Sequence, residues 1–143
     1  MEGVVLIYLL DTATWINYAL TPAVFPARIK KLLDERETKG LCSISLLETA
    51  ILHRLGRLDL NGPLHDFFAA AITQDVELLE LTPAVATATN EFPKLFQGDP
   101  FDRTITATAK ILSLTLITPD DQIRDAGCCR VEYYPFKPSR AAD

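Results

Sequence analysis

Acidic residues stand at or close behind the ends of the segments in this sequence that are best suited to form strands. Asp11 follows an apolar run directly, Asp120 comes two residues after another, and Glu48 lies early in a helical segment behind a third. Asp99 and Asp102 begin a further helical segment. In open α/β sheets, ligands bind beyond the carboxyl ends of the strands. The sequence therefore predicts a cluster of carboxylates at one edge of a sheet.

Each aspartate taken singly also has a purely structural explanation. Asp11, Asp99 and Asp120 stand at positions typical of helix N-caps, where a carboxylate accepts backbone N–H groups of the first turn. Asp102 falls in the first turn of its predicted helix, where a negative charge suits the helix dipole. Helix capping or the helix dipole explains any one of these aspartates. The presence of several aspartates at strand ends is what indicates a catalytic or metal-binding site.

Glu48 is harder to explain by helix stability. At helical spacing its neighbours are Ile44, Ile51 and Leu52, so the glutamate lies in or beside the apolar face of its own helix. A buried carboxylate without a partner is unfavourable and requires a cation, a hydrogen bond or a proton. No lysine or arginine falls within one turn on that face, since Arg54 is six residues on. A bound metal ion would satisfy the Glu48 carboxylate. The alternative is that Glu48 falls beside the apolar face of its helix by chance and has no functional role.

Four carboxylates gathered at one sheet edge repel one another. Two carboxylates about 4 Å apart repel by roughly 4 kcal/mol at an effective dielectric constant of about 20. A hard divalent cation converts that repulsion into attraction, and oxygen donors without histidine or cysteine favour Mg²⁺ or Mn²⁺ over zinc. Such a cation keeps bound water and orients it for attack on a phosphoryl group. The residues therefore predict phosphodiester hydrolysis.

Composition narrows the classes of protein. The chain has 143 residues, 48% of them hydrophobic and 23% charged, which is typical of one globular domain. Its longest apolar run, 4–10, is shorter than the roughly 20 residues of a membrane span and lacks the flanks of a secretory signal. We therefore expect a cytoplasmic protein. Three cysteines and two histidines are too few and too badly spaced for a zinc site or a disulfide framework.

Charge is unevenly distributed along the chain. The net charge is −5, so binding of nucleic acid by a generally basic surface is not expected. Between Arg28 and Arg57, however, seven basic residues against four acidic ones give +3 and leave −8 elsewhere. This segment is either a solvated helix face or a local patch that contacts phosphates or an acidic partner.

Strand-like and helical segments alternate along the chain. We expect strands at 4–10, 41–43, 76–81, 114–118 and 130–134. We expect helices at 12–19, 26–38, 45–58, 64–75, 83–92 and 100–112, with Gly40 as the stop signal of the second. This alternation predicts a single α/β domain with a parallel sheet of about five strands flanked by helices on both faces. We place the domain at 1–134 and a C-terminal tail at 135–143.

Four acidic motifs occur in order along the chain. They are Leu10-Asp11-Thr12, Ser43-x-x-x-x-Glu48, Asp99-Pro100-Phe101-Asp102-Arg103 with Ala107 and Ala109 behind it, and Leu116-Ile117-Thr118-Pro119-Asp120. Together they resemble the PIN-domain nucleases and, more narrowly, the VapC toxins of bacterial and archaeal toxin–antitoxin pairs. No single motif is specific, and the Asp-Pro-Phe-Asp-Arg block before an alanine-rich helix is the most specific of them. The resemblance extends over nearly the whole chain.

The resemblance implies that Asp11, Glu48, Asp102 and Asp120 are the metal-binding and catalytic acids. Asp102 matches better than Asp99, because the family's acid lies seven residues before an alanine. Asp99 is then an N-cap or a supporting residue. Further residues that match supporting positions, or neighbour the acids, are Thr12, Ser43, Ser45, Thr118 and Asp121.

The activity implied by the resemblance is that of a Mg²⁺-dependent endoribonuclease, with Mn²⁺ as a second candidate ion, that cuts structured RNA such as tRNA or rRNA with a metal-activated water. The family also implies a VapB-type antitoxin whose tail blocks the acidic site, and a homodimer. The basic residues between Arg28 and Arg57, with Arg103, are candidates for contacts to RNA phosphates. An ion pair with a neighbouring acid is the alternative for Arg103.

Other protein classes fit the pattern less well or differently. A haloacid-dehalogenase-like phosphatase needs a second aspartate two residues after the first, where this chain has Ala13. A receiver domain needs a phosphorylatable aspartate after a middle strand and a lysine after the last, which the pattern does not supply. A catalytically silent PIN fold that binds metal and RNA or an antitoxin would carry the same acids, and it stays open as the alternative.

Overall fold

The computed structural model of the chain describes residues 6–93, 96 and 98–136. Within them, five strands form one all-parallel sheet. The strands are β1 (Tyr8–Leu10), β2 (Lys39–Cys42), β3 (Val76–Leu79), β4 (Thr115–Thr118) and β5 (Arg130–Tyr133). Their order in the sheet is β3-β2-β1-β4-β5, so the chain order reverses at the central strand β1. A crevice at the carboxyl end of β1 is the position where such sheets bind ligands.

Seven α-helices connect and follow the strands in the described residues. They are α1 (Thr12–Leu20), α2 (Ala27–Asp34), α3 (Ile44–Arg54), α4 (Leu64–Ala71), α5 (Pro83–Ala88), α6 (Pro100–Ile111) and α7 (Asp121–Ala126). Two single 3₁₀ turns lie at Pro22–Val24 and Thr89–Glu91. The predicted α/β class with a parallel sheet of five strands is confirmed. None of these helices is long and apolar enough to cross a membrane.

Apolar side chains cover both faces of the sheet. Leu9 and Leu116 point into one core cluster, which they share with residues of α5, α6 and α7. Their sequence neighbours Leu10 and Ile117 belong to a second cluster with residues of α1, α2 and α4. Because successive strand residues point to opposite faces, a strand covered on both sides needs consecutive apolar residues, as Leu9-Leu10 in β1 and Leu116-Ile117 in β4 show.

Gly40 lies inside β2, and its predicted role as a helix stop is wrong. Helix α2 ends at Asp34, four residues short of the predicted end at Thr38. A Cβ atom at Gly40 would lie 2.7 Å from Cδ1 of Leu79 in the neighbouring strand β3. The glycine therefore makes room for a close packing contact between strands. Strand β2 begins at Lys39, two residues earlier than expected, and includes Gly40.

Several other boundaries differ from the predicted ones. Helices α3, α4 and α5 each end four residues before their expected ends, and β3 ends at Leu79 rather than at residue 81. Helix α7 was not predicted, because six residues between Asp120 and Gly127 are too few to show a helical period. The first two residues of the predicted strand 4–10, and 137–143 of the predicted tail, lie outside the described residues.

Candidate active site

The Asp11 carboxylate is held at the carboxyl end of the sheet by Thr118. Asp11 directly follows β1, and its backbone N–H donates to the Ile117 carbonyl in β4 at 3.1 Å. Its side chain is 6% exposed, and Oδ2 accepts a hydrogen bond from the Thr118 hydroxyl at 2.5 Å. Although Asp11 stands at the N-cap of α1, its side chain makes no capping hydrogen bond. The capping explanation is therefore wrong for Asp11.

Asp99 and Asp120 do cap helices. The Asp99 Oδ1 atom accepts from the backbone N–H of Asp102 at 2.8 Å, at the start of α6. The Asp120 Oδ1 atom accepts from the N–H groups of Gln122 at 2.8 Å and Ile123 at 3.3 Å, at the start of α7. These contacts confirm both predicted N-caps. They also fix the backbone that carries Asp102 and Asp120 themselves.

Glu48 projects from α3, whose start is tied to the start of α1. The Thr12 hydroxyl donates to Oγ of Ser45 at 2.8 Å, and both residues are buried. One turn further along α3, the Oε1 atom of Glu48 is buried and has no hydrogen-bond partner among the described residues. Ser43 contributes backbone groups: its N–H donates to the Leu79 carbonyl at 2.9 Å, and its carbonyl accepts from the Leu46 N–H at 3.1 Å. The structure thus fixes the helical turn that carries Glu48 and leaves one of its carboxylate oxygens unsatisfied.

All four of the predicted acids line one cavity of about 430 Å³. Of the predicted supporting residues, Thr12 also lines it, whereas Asp99 and Asp121 are exposed and do not. Seven other lining residues have no predicted role: Ala13, Ile16, Asn17, Leu52, Leu58, Pro119 and Phe136. Asn17 belongs to no motif, and Phe136 falls in the predicted C-terminal tail. The helical spacing of Asn17 four residues after Ala13, another lining residue, is the one signal that pointed to it.

The family model of the PIN domain matches residues 8–127 of this sequence. The chain belongs to the PIN-domain family. The match includes all four of the predicted acids and every strand except β5. The family membership expected from the four motifs is therefore confirmed.

Individual relatives of this PIN domain agree with the assignment. The chain is 28% identical over 116 residues to Ribonuclease VapC22 of Mycobacterium tuberculosis (strain ATCC 25618 / H37Rv), an alignment of 81% of this chain and 88% of the relative. It is similar to FitAcB from Neisseria gonorrhoeae, with a TM-score of 0.65, 28% identity and coverage of 90% and 98%. VapBC2 from Rickettsia felis, solved with a DNA fragment from its promoter, has a TM-score of 0.67 at 16% identity, with 89% and 98% covered. At that identity the similarity establishes the fold alone.

The crowded carboxyls of the PIN domain are hard to ionise together. Burial, followed by the negative charges of Asp11 and Asp99, raises the pKa of Asp102 to about 8. Burial and the charge of Glu48 likewise raise the pKa of Asp11 to about 6. The pKa of Glu48 is raised by burial and by the charge of Asp99. At neutral pH the cavity therefore favours retention of a proton on Asp102.

The donor set of this cavity fits a hard divalent cation. The donors are all oxygens, one of them is buried without a partner, and their mutual repulsion would be relieved by positive charge. Within the described part of the chain, no group of three or more His, Cys, Asp or Glu side chains has an arrangement that holds a metal ion as it stands. Binding would therefore involve reorientation of the carboxylates.

Arg103 of the PIN domain contacts backbone carbonyls and aromatic rings, so the expected ion pair is wrong and the contact with RNA phosphates stays a prediction. Its guanidinium donates to the backbone carbonyls of Phe96, at 2.9 Å, and Thr89. It also lies 5.6 Å from the ring centroid of Phe92 and 5.7 Å from that of Phe96. It forms no ion pair with an acidic residue of the described chain. Arg103 therefore anchors the segment that leads into α6.

A second cavity of about 510 Å³ lies among α1, α2 and α4. Its lining is largely apolar and includes Trp15, Leu33 and Phe67, with acidic side chains such as Asp34 and Asp66 among its other lining residues. None of the four predicted acids reaches it. The chemistry predicted from the sequence therefore belongs to the smaller, acidic cavity.

Proposed function

We propose that this PIN domain is a divalent-metal-dependent endoribonuclease and the toxin of a VapC-type toxin–antitoxin pair. The observation that carries the proposal is the single cavity lined by Asp11, Glu48, Asp102 and Asp120, with an unsatisfied Glu48 oxygen beside it. Four carboxylates at one sheet end oppose stability unless a cation joins them. The name of the relative VapC22, a ribonuclease, supports RNA as the substrate.

The same four acids would hold Mg²⁺ or Mn²⁺. When bound, such a cation polarises a phosphoryl oxygen and lowers the pKa of a water molecule for attack on the phosphodiester. Thr118 orients Asp11 through its 2.5 Å hydrogen bond, and the caps made by Asp99 and Asp120 hold the starts of α6 and α7. Burial and neighbouring charges raise the pKa of Asp102 to about 8, so a bound cation would favour its ionised form and its binding would release a proton.

The substrate that we propose is a structured RNA such as a tRNA or an rRNA. The decisive experiment is cleavage of end-labelled total RNA by the purified protein in Mg²⁺, in Mn²⁺ and in EDTA. Asp11→Asn is the test variant, and Asp66→Asn, which removes one charge from an exposed residue of α4, is the matched control. We expect discrete cuts that require the cation, persist in the control and disappear in Asp11→Asn. Cleavage that survives in Asp11→Asn or in EDTA would contradict the proposal.

A catalytically silent PIN domain that binds metal and RNA or an antitoxin is the second candidate. It would carry the same four acids in the same cavity and would differ only in that it cleaves no RNA. Titration calorimetry with Mn²⁺ separates the two functions when it is combined with the cleavage assay. Binding of Mn²⁺ that depends on Glu48, without any cleavage, would identify the silent domain.

We also propose a VapB-type antitoxin and a homodimer as partners. Solved structures similar to this chain include a DNA-bound VapBC from Salmonella typhimurium and a toxin–antitoxin complex from Klebsiella pneumoniae, at 19% and 18% identity. A cavity lined by four acids suits a basic side chain from an antitoxin tail. Expression of the protein should arrest growth unless the product of an adjacent antitoxin gene is present. Light scattering on the purified protein measures the proposed dimer directly.

A further inference from the structure

The acidic cavity has a second wall that metal and phosphate chemistry does not use. This second wall is apolar and consists of Ile16, Leu52, Leu58 and Phe136. The last three are only half buried, so they present apolar surface at the cavity. Solvated apolar surface is unfavourable by about 25 cal/mol per Å², and a phosphate would gain nothing from it. This wall therefore suits an apolar, flat group of a ligand.

Leu52 and Leu58 flank a turn whose backbone is fixed. Gly56 has a φ of +74°, and its N–H donates to the carbonyl of His53 at 3.1 Å. The Arg57 N–H donates to the carbonyl of Leu52 at 2.9 Å, which completes a Schellman motif at the end of α3. The turn is therefore a preformed feature beside the cavity, and only its side chains remain free to move.

The same turn carries two unpaired arginines. Arg54 and Arg57 are exposed, and neither forms a hydrogen bond or an ion pair through its guanidinium with any described residue. Elsewhere in the basic segment, Arg28 and Lys30 pair with acidic side chains at 3.0 and 2.7 Å, and Lys39 is buried against backbone carbonyls. Lys31 and Arg36 are also exposed without such a partner among the described residues, but they lie on and behind α2. Arg54 and Arg57 lie on the turn whose two ends, Leu52 and Leu58, line the acidic cavity.

We infer that this turn, residues 52–58, together with Phe136, is a nucleotide-binding element of the proposed ribonuclease. Arg54 and Arg57 contact phosphates that flank the scissile one, and the apolar wall contacts the face of an unstacked base. A protein of net charge −5 with four acids in its cavity repels RNA, so local positive charge is needed to hold the strand. The faces of paired bases are stacked and hidden, so the element selects single-stranded or looped RNA over duplex. This inference rests on the proposed function for its choice of RNA.

Two double variants with equal charge change test the arginines. Arg54→Ala/Arg57→Ala removes the pair on the turn between the cavity residues Leu52 and Leu58. Lys31→Ala/Arg36→Ala removes two exposed basic residues, neither of which lines the cavity. We expect the first variant to raise KM about 10-fold with kcat nearly unchanged, and to reduce the slope of log Kd against log salt by about 1.4. The second should behave like the wild-type protein. Equal losses in both variants, or a loss in kcat alone, would overturn the inference.

The proposed role of Phe136 is tested by comparing the binding of single-stranded and duplex RNA. Binding is measured by fluorescence anisotropy in an Asp102→Asn background, which prevents cleavage, with unstructured oligouridylate and with a duplex of equal length. Phe136→Ala should weaken oligouridylate binding at least about 5-fold and leave duplex binding unchanged, and Phe136→Tyr should restore it. Equal weakening for both RNAs would overturn the role of the apolar wall.

These measurements separate the inference from the proposed function. If the wild-type protein cuts no RNA but the binding still depends on Arg54, Arg57 and Phe136, the ribonuclease proposal fails and the binding element stands. If the arginine variant retains RNA binding and instead loses binding to polyglutamate, the turn is a contact for an acidic protein, and the inference fails.

Discussion

The Thr118 hydroxyl lies 2.5 Å from Oδ2 of Asp11 and donates a hydrogen bond to it. The hydroxyl oxygen of Thr118 also accepts a hydrogen bond from the backbone N–H of Asp120 at 3.0 Å. Thr118 ends β4 and Asp11 follows β1, so one hydroxyl joins the ends of two neighbouring strands to the residue that caps α7. Because the threonine both donates and accepts, its loss would disturb two of the four acids together.

Thr118→Val should destabilise the protein and its cavity. The substitution keeps the shape of the side chain but leaves the buried Asp11 carboxyl and the Asp120 N–H without partners, which should lower the free energy of unfolding by about 2 kcal/mol. RNA cleavage should fall as well, because Asp11 is no longer oriented. Urea denaturation and the cleavage assay measure the two effects. Thr118→Ser restores the hydroxyl and serves as the control, and a valine variant that matches wild type in both assays would disprove the role of Thr118.

The metal-free protein should lose stability as the pH rises, because of Asp102. An unfolded aspartate has a pKa of about 3.9, and burial and neighbouring charges raise the folded value to about 8. Between these values the folded state holds a proton that the unfolded state lacks, so unfolding becomes more favourable with increasing pH. Asp102→Asn should remove this contribution, and its stability advantage over wild type should grow from pH 4 to about pH 8.

Urea denaturation of both proteins in EDTA at several pH values measures that difference. Asp102 is only partly buried, so solvent screening should limit the advantage to about 1 kcal/mol. Saturating Mg²⁺ should reverse the order, because the cation favours the ionised carboxylates of the wild-type protein. Parallel pH profiles for the two proteins would show that Asp102 ionises normally.

Glu48→Gln should weaken cation binding without unfolding the protein. The buried Oε1 atom has no partner to lose, and a neutral amide removes one of the charges that repel Asp11. We expect Mn²⁺ affinity to fall at least about 10-fold in titration calorimetry, with the free energy of unfolding of the metal-free protein unchanged or higher. Glu80→Gln alters an exposed residue after β3 and is the matched control. Unchanged Mn²⁺ affinity in Glu48→Gln would remove Glu48 from the proposed ligands.

Arg103→Met should act on stability and not on electrostatic attraction of RNA. The substitution removes two hydrogen bonds to backbone carbonyls and the cation–π contacts with Phe92 and Phe96. The free energy of unfolding should fall by about 2 kcal/mol. The salt dependence of RNA binding should match that of the wild-type protein, in contrast to Arg54→Ala/Arg57→Ala. A reduced slope for Arg103→Met would place this arginine on the RNA.

The secondary structure was predictable where a short segment contains its own signal. Asp99 and Asp120 each accept a backbone N–H at the start of a helix, as expected from their N-cap positions. The role of Gly40 could not be predicted from the sequence, because glycine is common both after helices and in tightly packed strands. Its actual role depends on the Leu79 side chain of the neighbouring strand, which no local pattern reveals.

The α/β class, the five strands in chain order and the position of each acid along the chain follow from the sequence alone, because apolar periodicity and capping signals act over a few residues. The tertiary structure fixes which groups meet. It brought Thr118 to Asp11 across 107 positions, left Glu48 Oε1 unsatisfied, turned Arg103 toward backbone carbonyls and set Phe136 in the cavity wall. Such contacts depend on how elements distant in sequence pack, and packing is a property of the whole fold.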